Sequence, residues 1–508
     1  MNSNNKRIAQ NTLLLYFRLL VTMGVSLFTS RIILKVLGIE DFGIFSLVSG
    51  VIAMFGFLDM TLGSATFRFL SIEIGRKDYI QLKKLFSISI TSHIIFAIII
   101  LILAESIGLW FLNTHLVIST DRLQAANWVY QFALLSFLTN MITAPYNAII
   151  ISHEKMNIYA YMSIIEVILK LLIVFTLQWF DFDKLKLYAI LTFSVSFCIR
   201  MAYRSYCKFK FQECKYHYVW DTKLLKSFFT FSGWSIFGNL AGISAHQGLT
   251  LIINMFFGTV VNAAMGIANQ VNTAIVNFVS NFQTAYNPQI LKTYTSGNRQ
   301  DFINLVIITS KGSFMLLFIL SMPVFINCAP ILKLWLTEVP AHTATFCQLM
   351  ILLSLIDTLS APLWMTVQAN GQIKTYQLCI SFITFCNLPL AYYILKIGYP
   401  VESALVVRIT MSLISLIFRL CYLRHLIHFP VILFIQKVLY RVFIIVVATL
   451  PIPLISLKIW DNETLIGLIT IFCISFICAC LATFFLGLTK QEKRPILNML
   501  HSKIQLFR

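Results

Sequence analysis

The chain has 508 residues, 58% of them hydrophobic and only 12% charged, and its 39 Lys and Arg outnumber 20 Asp and Glu. A water-soluble globular protein carries about 25% charged residues, so apolar surface on this scale needs lipid as its solvent and excludes a soluble fold. The positive charge then belongs to a membrane protein and not to a nucleic-acid binder, which would show a basic soluble domain with exposed aromatics.

Apolar runs of about 20 residues, the length a helix needs to cross about 30 Å of hydrocarbon, recur along the whole sequence. They predict spans at 12–35, 43–70, 85–112, 125–151, 158–180, 186–207, 227–257, 260–290, 303–335, 344–369, 376–396, 402–423, 431–457 and 464–488. A membrane β-barrel would show alternating segments of about ten residues, and none are present. The start, MNSNNKRIAQN, is polar and basic, and the first apolar stretch is too long for a signal peptide; it reads as a true first span. Lys6, Arg7, Lys83, Lys84, Lys155, Lys208, Lys210, Lys215, Arg299 and Lys374 fall on one set of loops, while Glu40, Asp41, Asp121, Asp181, Asp183 and Glu338 fall on the other. The positive-inside rule therefore places both termini in the cytoplasm. The eleven cysteines show no paired CxxC elements and no zinc spacing. No nucleotide or metal motif appears, so no cofactor is expected.

The sequence repeats at an offset of about 220 residues. Pro145 and Tyr159 flank a short polar turn, as do Pro362 and Tyr376; VLGIEDFGIF around Gly38 matches FFGTVVNAAM around Gly258; Arg200 and Arg419 close the sixth and twelfth spans. This organises the chain into an N-terminal lobe at 1–215, a C-terminal lobe at 216–428, and two further spans with a basic tail at 429–508. Parallel repeats of this kind occur in transporters that rock two bundles about a central site.

Polar groups at membrane depth must face a partner, a cavity or another helix. Span 8 sets Asn262, Gly266, Asn269, Thr273, Asn277, Ser280, Thr284 and Asn287 at steps of three and four, leaving Asn272 off that face. Span 7 does the same with Ser235, Asn239, Gly242, His246, Thr250 and Asn254. Two such stripes line one aqueous cavity or, alternatively, glue helices together. Span 1 carries Arg18 and, near its outer end, Arg31; span 2 carries Asp59 and Arg68, with Asp59 at a depth that pairs it with Arg18. Glu166 and Lys170 stand at i and i+4 in span 5. Arg31 and Arg68 also suit snorkelling near an interface. Guanidinium groups fit phosphate oxygens and amides fit sugar hydroxyls, so cations from span 1 and an amide wall from spans 7 and 8 suit an anionic, hydroxyl-rich substrate.

NTLLLYFRLLVTMGVSLFTSRIILKVLGIEDFGIF, GSATFRFLSIEIGRKD and GIANQVNTAIVNFVSNFQTAYNPQI together resemble the bacterial O-antigen and polysaccharide flippases. Their superfamily also holds the multidrug and toxic compound extrusion (MATE) transporters and the lipid II flippase. The resemblance implies an all-α integral membrane protein of about fourteen helices, two six-helix lobes plus two, in the bacterial inner membrane. It implies a transporter and not an enzyme, flipping an undecaprenyl-pyrophosphate-linked oligosaccharide by alternating access. It also implies membrane lipid around it and polysaccharide polymerase and glycosyltransferases as partners. By position Arg18 and Arg31 match the cations such flippases turn toward pyrophosphate. For a coupling ion, H+ or Na+, Asp59 and Glu166 are the carboxylates on offer. The substrate site expected overall comprises Arg18, Arg31, Arg68, Asn239, His246, Asn269, Thr273 and Asn277. Two other readings are a cation-coupled multidrug exporter, disfavoured by the scarcity of embedded acids, and a membrane polysaccharide polymerase or ligase, disfavoured by short outer loops without a catalytic constellation.

Cysteines introduced at Asn239, His246, Asn269 and Asn277 are expected to react with a water-soluble thiol reagent in intact membranes; uniform protection would favour helix packing over a cavity.

Overall fold

A computed structural model describes residues 3–493 apart from 77, 154, 181, 220, 223–235, 237–238, 296–298, 337, 371–372, 463 and 490–491. Ser235 and the side chains of Arg68, Asn281 and Thr284 lie outside the described residues. Every regular element among the described residues is helical, as lipid requires of a chain whose backbone must satisfy itself internally. Twelve helices are long and apolar enough to cross a membrane. Two of them, over Phe17–Ala53 and Asn239–Ser280, each hold two of the fourteen expected spans.

The first helix shows why. α1 runs over Ser3–Ala53, and 51 residues would extend about 76 Å, more than twice the hydrocarbon thickness. It breaks at Gly38, whose φ of 81° and ψ of 171° lie in a region essentially restricted to glycine. The chain reverses there. Arg18 meets Tyr159 on α6 (Met156–Thr176) near the turn at 153–155, Asp41 meets Arg122 at the opposite end, and Leu70, on α2 (Gly56–Arg76), joins a cluster with Ile149 and Ile150 back at the first end. The 43–70 span expected as one helix is therefore two pieces. The helix from Gly38 ends at Ala53, a tight turn at Met54–Phe55 carries i→i−3 bonds, and α2 follows. The expected 303–335 span likewise breaks at Asn327.

After α2 come α3 (Tyr79–Leu103), a π-helical turn at Ala104–Gly108, α4 (Leu109–Thr114), α5 (Leu123–Ser152), α6 and α7 (Lys184–Lys210). A π-turn at Ser244–Gly248 leads into α8 (Leu249–Thr295). Gly258 breaks α8 with φ 76° and ψ −168°, the same backbone state as its repeat partner Gly38. Next are α9 (Arg299–Ile326), α10 (Cys328–Trp335), α11 (Thr343–Asn370), α12 (Ile373–Lys396) and α13 (Glu402–Ile427). The C-terminal pair consists of α14 (Val431–Phe434) and α15 (Tyr440–Thr449) joined by a π-turn, α16 (Pro451–Ile459), and α17 (Leu465–Ala482) ending in a π-turn at Thr483–Gly487. Pro145 lies inside α5 and Pro362 inside α11, so the repeated prolines both fall within helices.

Contacts divide the chain into two compact units: Met1–Gly266 with Leu336–Ala341 and Thr384–Ala404, and Ile267–Trp335 with His342–Ile383 and Leu405–Arg508. In the first, α5 packs on α7 and α2, and α1 on α6; in the second, α9 packs on α11 and α17. Hydropathy and burial run in opposite directions between two spans of the first unit. Tyr79–Thr114 has mean hydropathy 2.6 and 22% burial, whereas Leu123–Ser152 has 1.4 and 50%. Lipid solvates the former, while the latter packs against its neighbours through apolar residues such as Val129, Tyr130, Leu134 and Met141.

The first unit is fastened at both ends. Arg122 binds Asp41 through Nε at 2.8 Å and Asp183 through Nη1 at 3.3 Å, and Asp183 caps α7. At the other end His153 pairs with Glu213 at 2.7 Å and stacks on Phe211. Burial pushes the Glu213 carboxyl up, but its bond to His153, a backbone hydrogen bond and the charge of His153 together outweigh that and hold it below the ordinary range. Through the middle, a Cβ on Gly43 would run into the carbonyl of Thr259 and approach Ala263, and one on Gly266 would meet Ser46. Gly43 and Ala263, and Ser46 and Gly266, are repeat equivalents, so matching residues face each other as in an isologous contact.

Gly43→Val is expected to cost about 1–3 kcal/mol by overpacking and to lower the thermal midpoint of the detergent-purified protein. Gly63→Ala, whose Cβ meets nothing within 4 Å, should leave it unchanged.

Candidate functional site

Three helices of the first unit bring embedded charges to a common depth. Counted from helix ends at 1.5 Å per residue, Asp59, Glu166 and Arg200 lie about 15–25 Å from the His153 end, whereas Arg18, which reaches Tyr159 on the first turn of α6, lies nearer that end. Arg18 does not pair with Asp59, as their depth led one to expect. Its guanidinium carbon sits 4.7 Å over the ring of Tyr159, and its Nε is buried without a hydrogen-bond partner. A cation over an aromatic face is stabilised without being neutralised, so Arg18 keeps its charge and a donor. Asp59 instead accepts from Asn140 Nδ2 at 3.4 Å and lies within electrostatic reach of Arg200; its Oδ1 is buried with no partner.

Glu166 is the hub. It accepts from Lys170 at 2.7 Å, one turn along α6, and sits 3.8 Å from Arg200 on α7. The Arg200 guanidinium rests 5.8 Å from the ring of Tyr203, whose hydroxyl donates to the Tyr159 carbonyl at 3.4 Å. Arg18, Tyr159, Tyr203, Arg200, Glu166 and Lys170 thus form one continuous polar path, with cations outnumbering the acids.

The remaining expected residues are placed as follows. Arg31 is exposed and outside this network. Asn239 donates to Thr61 at 2.9 Å, one helix face away from Asp59. His246 is half-buried on the π-turn. Asn254, counted in the span 7 stripe, is fully buried and ties both backbone groups of Val117, at 2.9 and 3.3 Å. That stripe is therefore part helix glue, because the π-turn at Ser244–Gly248 adds a residue to the turn and rotates the following face by about 100°. In the second unit Asn269 and Asn277 are half-buried and Thr273 is exposed, donating to the Asn269 carbonyl at 2.7 Å. Asn272, set apart from the stripe by its phase, accepts from Ser354 at 2.8 Å.

The second unit repeats the frame with other charges. Tyr376, Arg419 and Tyr422 stand where Tyr159, Arg200 and Tyr203 stand in the first, with the Tyr376 and Tyr422 rings 5.4 Å apart. Asp357 occupies the Asn140 position and accepts from Ser412 at 2.5 Å, within reach of Arg408. The Glu166 and Lys170 positions hold Ile383 and Asn387, so the embedded ion-pair hub belongs to the first unit. Among the described residues no group of His, Cys, Asp and Glu could hold a metal ion.

No family model matches the chain, and no curated protein matches it in sequence. Solved structures match its fold. The lipid II flippase MurJ in an inward closed conformation superposes with TM-score 0.66 at 13% identity, covering 94% of this chain and 99% of the flippase. The fold is that of the MATE-type transporters and flippases. An inward-facing multidrug resistance MATE transporter of the MOP superfamily matches with TM-score 0.61 at 12% identity, covering 81% of this chain and 96% of its own. A mutant of the Vibrio cholerae MATE transporter VcmN gives 0.54 at 17%, covering 83% and 97%.

Within this MATE-like fold, sequence reasoning named Arg18, Asp59 and Glu166 but missed Tyr159, Asn140 and Arg200 as their partners. Tyr159 and Arg200 were visible as repeat markers, and the matching depths of Arg200 and Glu166 on consecutive antiparallel spans were the signal that joins them.

Glu166→Gln is expected to strip two embedded cations of their shared acid. The loss lies toward the lower end of the roughly 3–5 kcal/mol for breaking a buried pair, since Lys170 is partly exposed. Adding Lys170→Met should recover part of it, read as thermal midpoints in a double-mutant cycle.

Proposed function

We propose that this protein is a flippase for an undecaprenyl-pyrophosphate-linked oligosaccharide, carrying an O-antigen, capsule or exopolysaccharide repeat unit across the bacterial inner membrane by alternating access. The observation that carries this reading is the reach of the fold likeness. The lipid II flippase accounts for 94% of the chain, whereas the two multidrug transporters account for 81% and 83%.

The charge pattern supports the same substrate. Arg18 is held on an aromatic face with a free donor, and Lys170 and Arg200 leave the network net positive after Glu166 and Asp59 are counted. Planar guanidinium donors bind pyrophosphate oxygens in pairs. The half-buried amides Asn269 and Asn277 and the exposed Thr273 of the second unit supply the donors and acceptors that sugar hydroxyls need. In this reading the lobes at 1–215 and 216–428 rock against each other, both termini face the cytoplasm, and Asp59 and Glu166 are the acids that take a coupling H+ or Na+. Glycosyltransferases and a polymerase supply and consume the substrate.

The second reading, a cation-coupled multidrug exporter, draws on one feature, the pair of embedded carboxylates in the first unit. It expects acids to dominate the site, whereas here they are outnumbered.

Arg18→Ala is expected to abolish complementation of a strain lacking its oligosaccharide flippase while the protein remains at normal abundance in the membrane; full complementation would remove Arg18 from the substrate path. Resistance to cationic dyes conferred by the wild type, without complementation, would favour the exporter.

A further inference from the structure

Among the described residues of the second unit, Lys311 is the most buried lysine or arginine side chain. It lies on α9, 2% exposed, in a helix otherwise packed with Phe314, Met315 and Phe318. A charge in such a place is costly unless it is paired. Its partner comes from beyond the last helix. Glu492 receives two bonds from the Lys311 ammonium, at 2.9 Å to Oε1 and 2.7 Å to Oε2. Glu492 is held for this by a reciprocal cap. The Thr489 N–H donates to Glu492 Oε2 at 2.7 Å, and the Glu492 N–H donates to Thr489 Oγ1 at 3.3 Å. Burial raises the Glu492 carboxyl, but the bonds from Lys311 and Thr489 outweigh it and keep it below its ordinary range.

One carboxylate does not balance what surrounds it. Lys437 and Arg441, from the π-turn after α14 and from α15, lie within electrostatic reach of Lys311. Arg441 spends Nη1 on the carbonyls of Leu486 and Gly487, at 3.2 and 3.4 Å. Lys437 is exposed. The helical stretch carrying both, Val431–Ile459, has mean hydropathy 2.4 and only 22% burial. Beside the two cations it presents Ile435, Tyr440, Phe443 and Val447, each 45–65% exposed. Cations at the rim of an apolar, outward-turned helix, with a ring such as that of Tyr440 beside them, have the arrangement that meets a phospholipid. The phosphate lies against the cations and the acyl chains against the apolar face.

We propose that Lys311, Lys437 and Arg441 form a binding site for the phosphate of an anionic membrane lipid, and that Glu492 fills this site as an internal stand-in, so that the C-terminal tail and the lipid headgroup compete for it. The carboxylate oxygens occupy the places of two phosphate oxygens. The tail is bound when the surrounding leaflet is zwitterionic and is displaced when it is rich in anionic lipid. Glu492 is the sole acid in the sequence from Leu488 to Arg508, where Lys490, Lys493, Arg494, Lys503 and Arg508 surround it. Once released, the tail is therefore itself drawn to an anionic surface.

The test uses the full chain, titrated with phosphatidylglycerol in phosphatidylcholine nanodiscs and read by native mass spectrometry as the lipids retained on release. Glu492→Gln should retain one more phosphatidylglycerol than wild type, with half-saturation at about tenfold lower lipid fraction, because the competing internal ligand is gone. Lys437→Gln with Arg441→Gln added to it should abolish that gain. The same pair of substitutions in the wild-type background leaves the Lys311–Glu492 bond intact, and so reports even if Glu492→Gln fails to fold; it should raise the lipid fraction needed. Equal retention by wild type and Glu492→Gln, or no effect of the paired substitutions in the wild-type background, would overturn the proposal. So would removal of the extra lipid by millimolar inorganic phosphate, which would make this a site for free phosphate.

Discussion

Membrane helices gain nothing by hiding apolar surface from lipid, so their association has to come from close packing and polar contact. In this protein that requirement is met most sharply where the helix after Gly38 crosses the helix after Gly258. Gly43 and Gly266 leave no room for a side chain, and the backbone at Thr259 closes on the first of them. Because Gly43 faces Ala263 and Ser46 faces Gly266, each half of the repeat contributes the small residue where the other contributes the larger one. Inside the first unit the repeat thus shows itself as a seam of near-contact backbones, and the helix that carries Arg18 runs into that seam through Gly38.

Both units bury charge, by different means. The first unit gathers Lys170 and Arg200 around one acid, Glu166, and lays the Arg18 and Arg200 guanidinium groups beside tyrosine rings. The second keeps the tyrosine and arginine frame at Tyr376, Arg419 and Tyr422 but lacks the hub. It balances Asp357 with the Ser412 hydroxyl and Lys311 with a residue from the tail. A duplicated scaffold has become chemically unequal. The half with the hub carries a cluster of embedded ions, while the other presents hydroxyls and amides.

Much of this was legible in the sequence. Apolar run length gave the membrane-spanning helices, because hydrocarbon thickness leaves few other solutions. The repeat emerged from glycines and prolines whose backbone demands survive when side chains diverge, and Gly38 and Gly258 do share one conformation. The helical phase of polar residues was less secure. Reading a face from spacing assumes an unbroken period, and the π-turn at Ser244–Gly248 violates it, which is why Asn254 turned out to be structural. Partnerships between distant spans, such as Arg18 with Tyr159 or Lys311 with Glu492, left no mark in local pattern because they depend on which helices become neighbours. The turn at Met54–Phe55 was equally hidden: its repeat counterpart, Ala274–Ile275, continues as helix, so nothing in the periodicity distinguished the two.

The reversals at Gly38 and Gly258 each use a single residue where most membrane proteins use a loop. Helix runs into helix with no intervening strand of flexible chain for a protease to cleave or an antibody to grip. The non-helical segment at Val117–Ser119 packs beside both bends, Val117 against the Gly258 end and Ser119 against Glu40. Insertion of a tag or an epitope there would have to pry open a backbone bend that only glycine adopts, so the places that tolerate added sequence lie elsewhere along the chain.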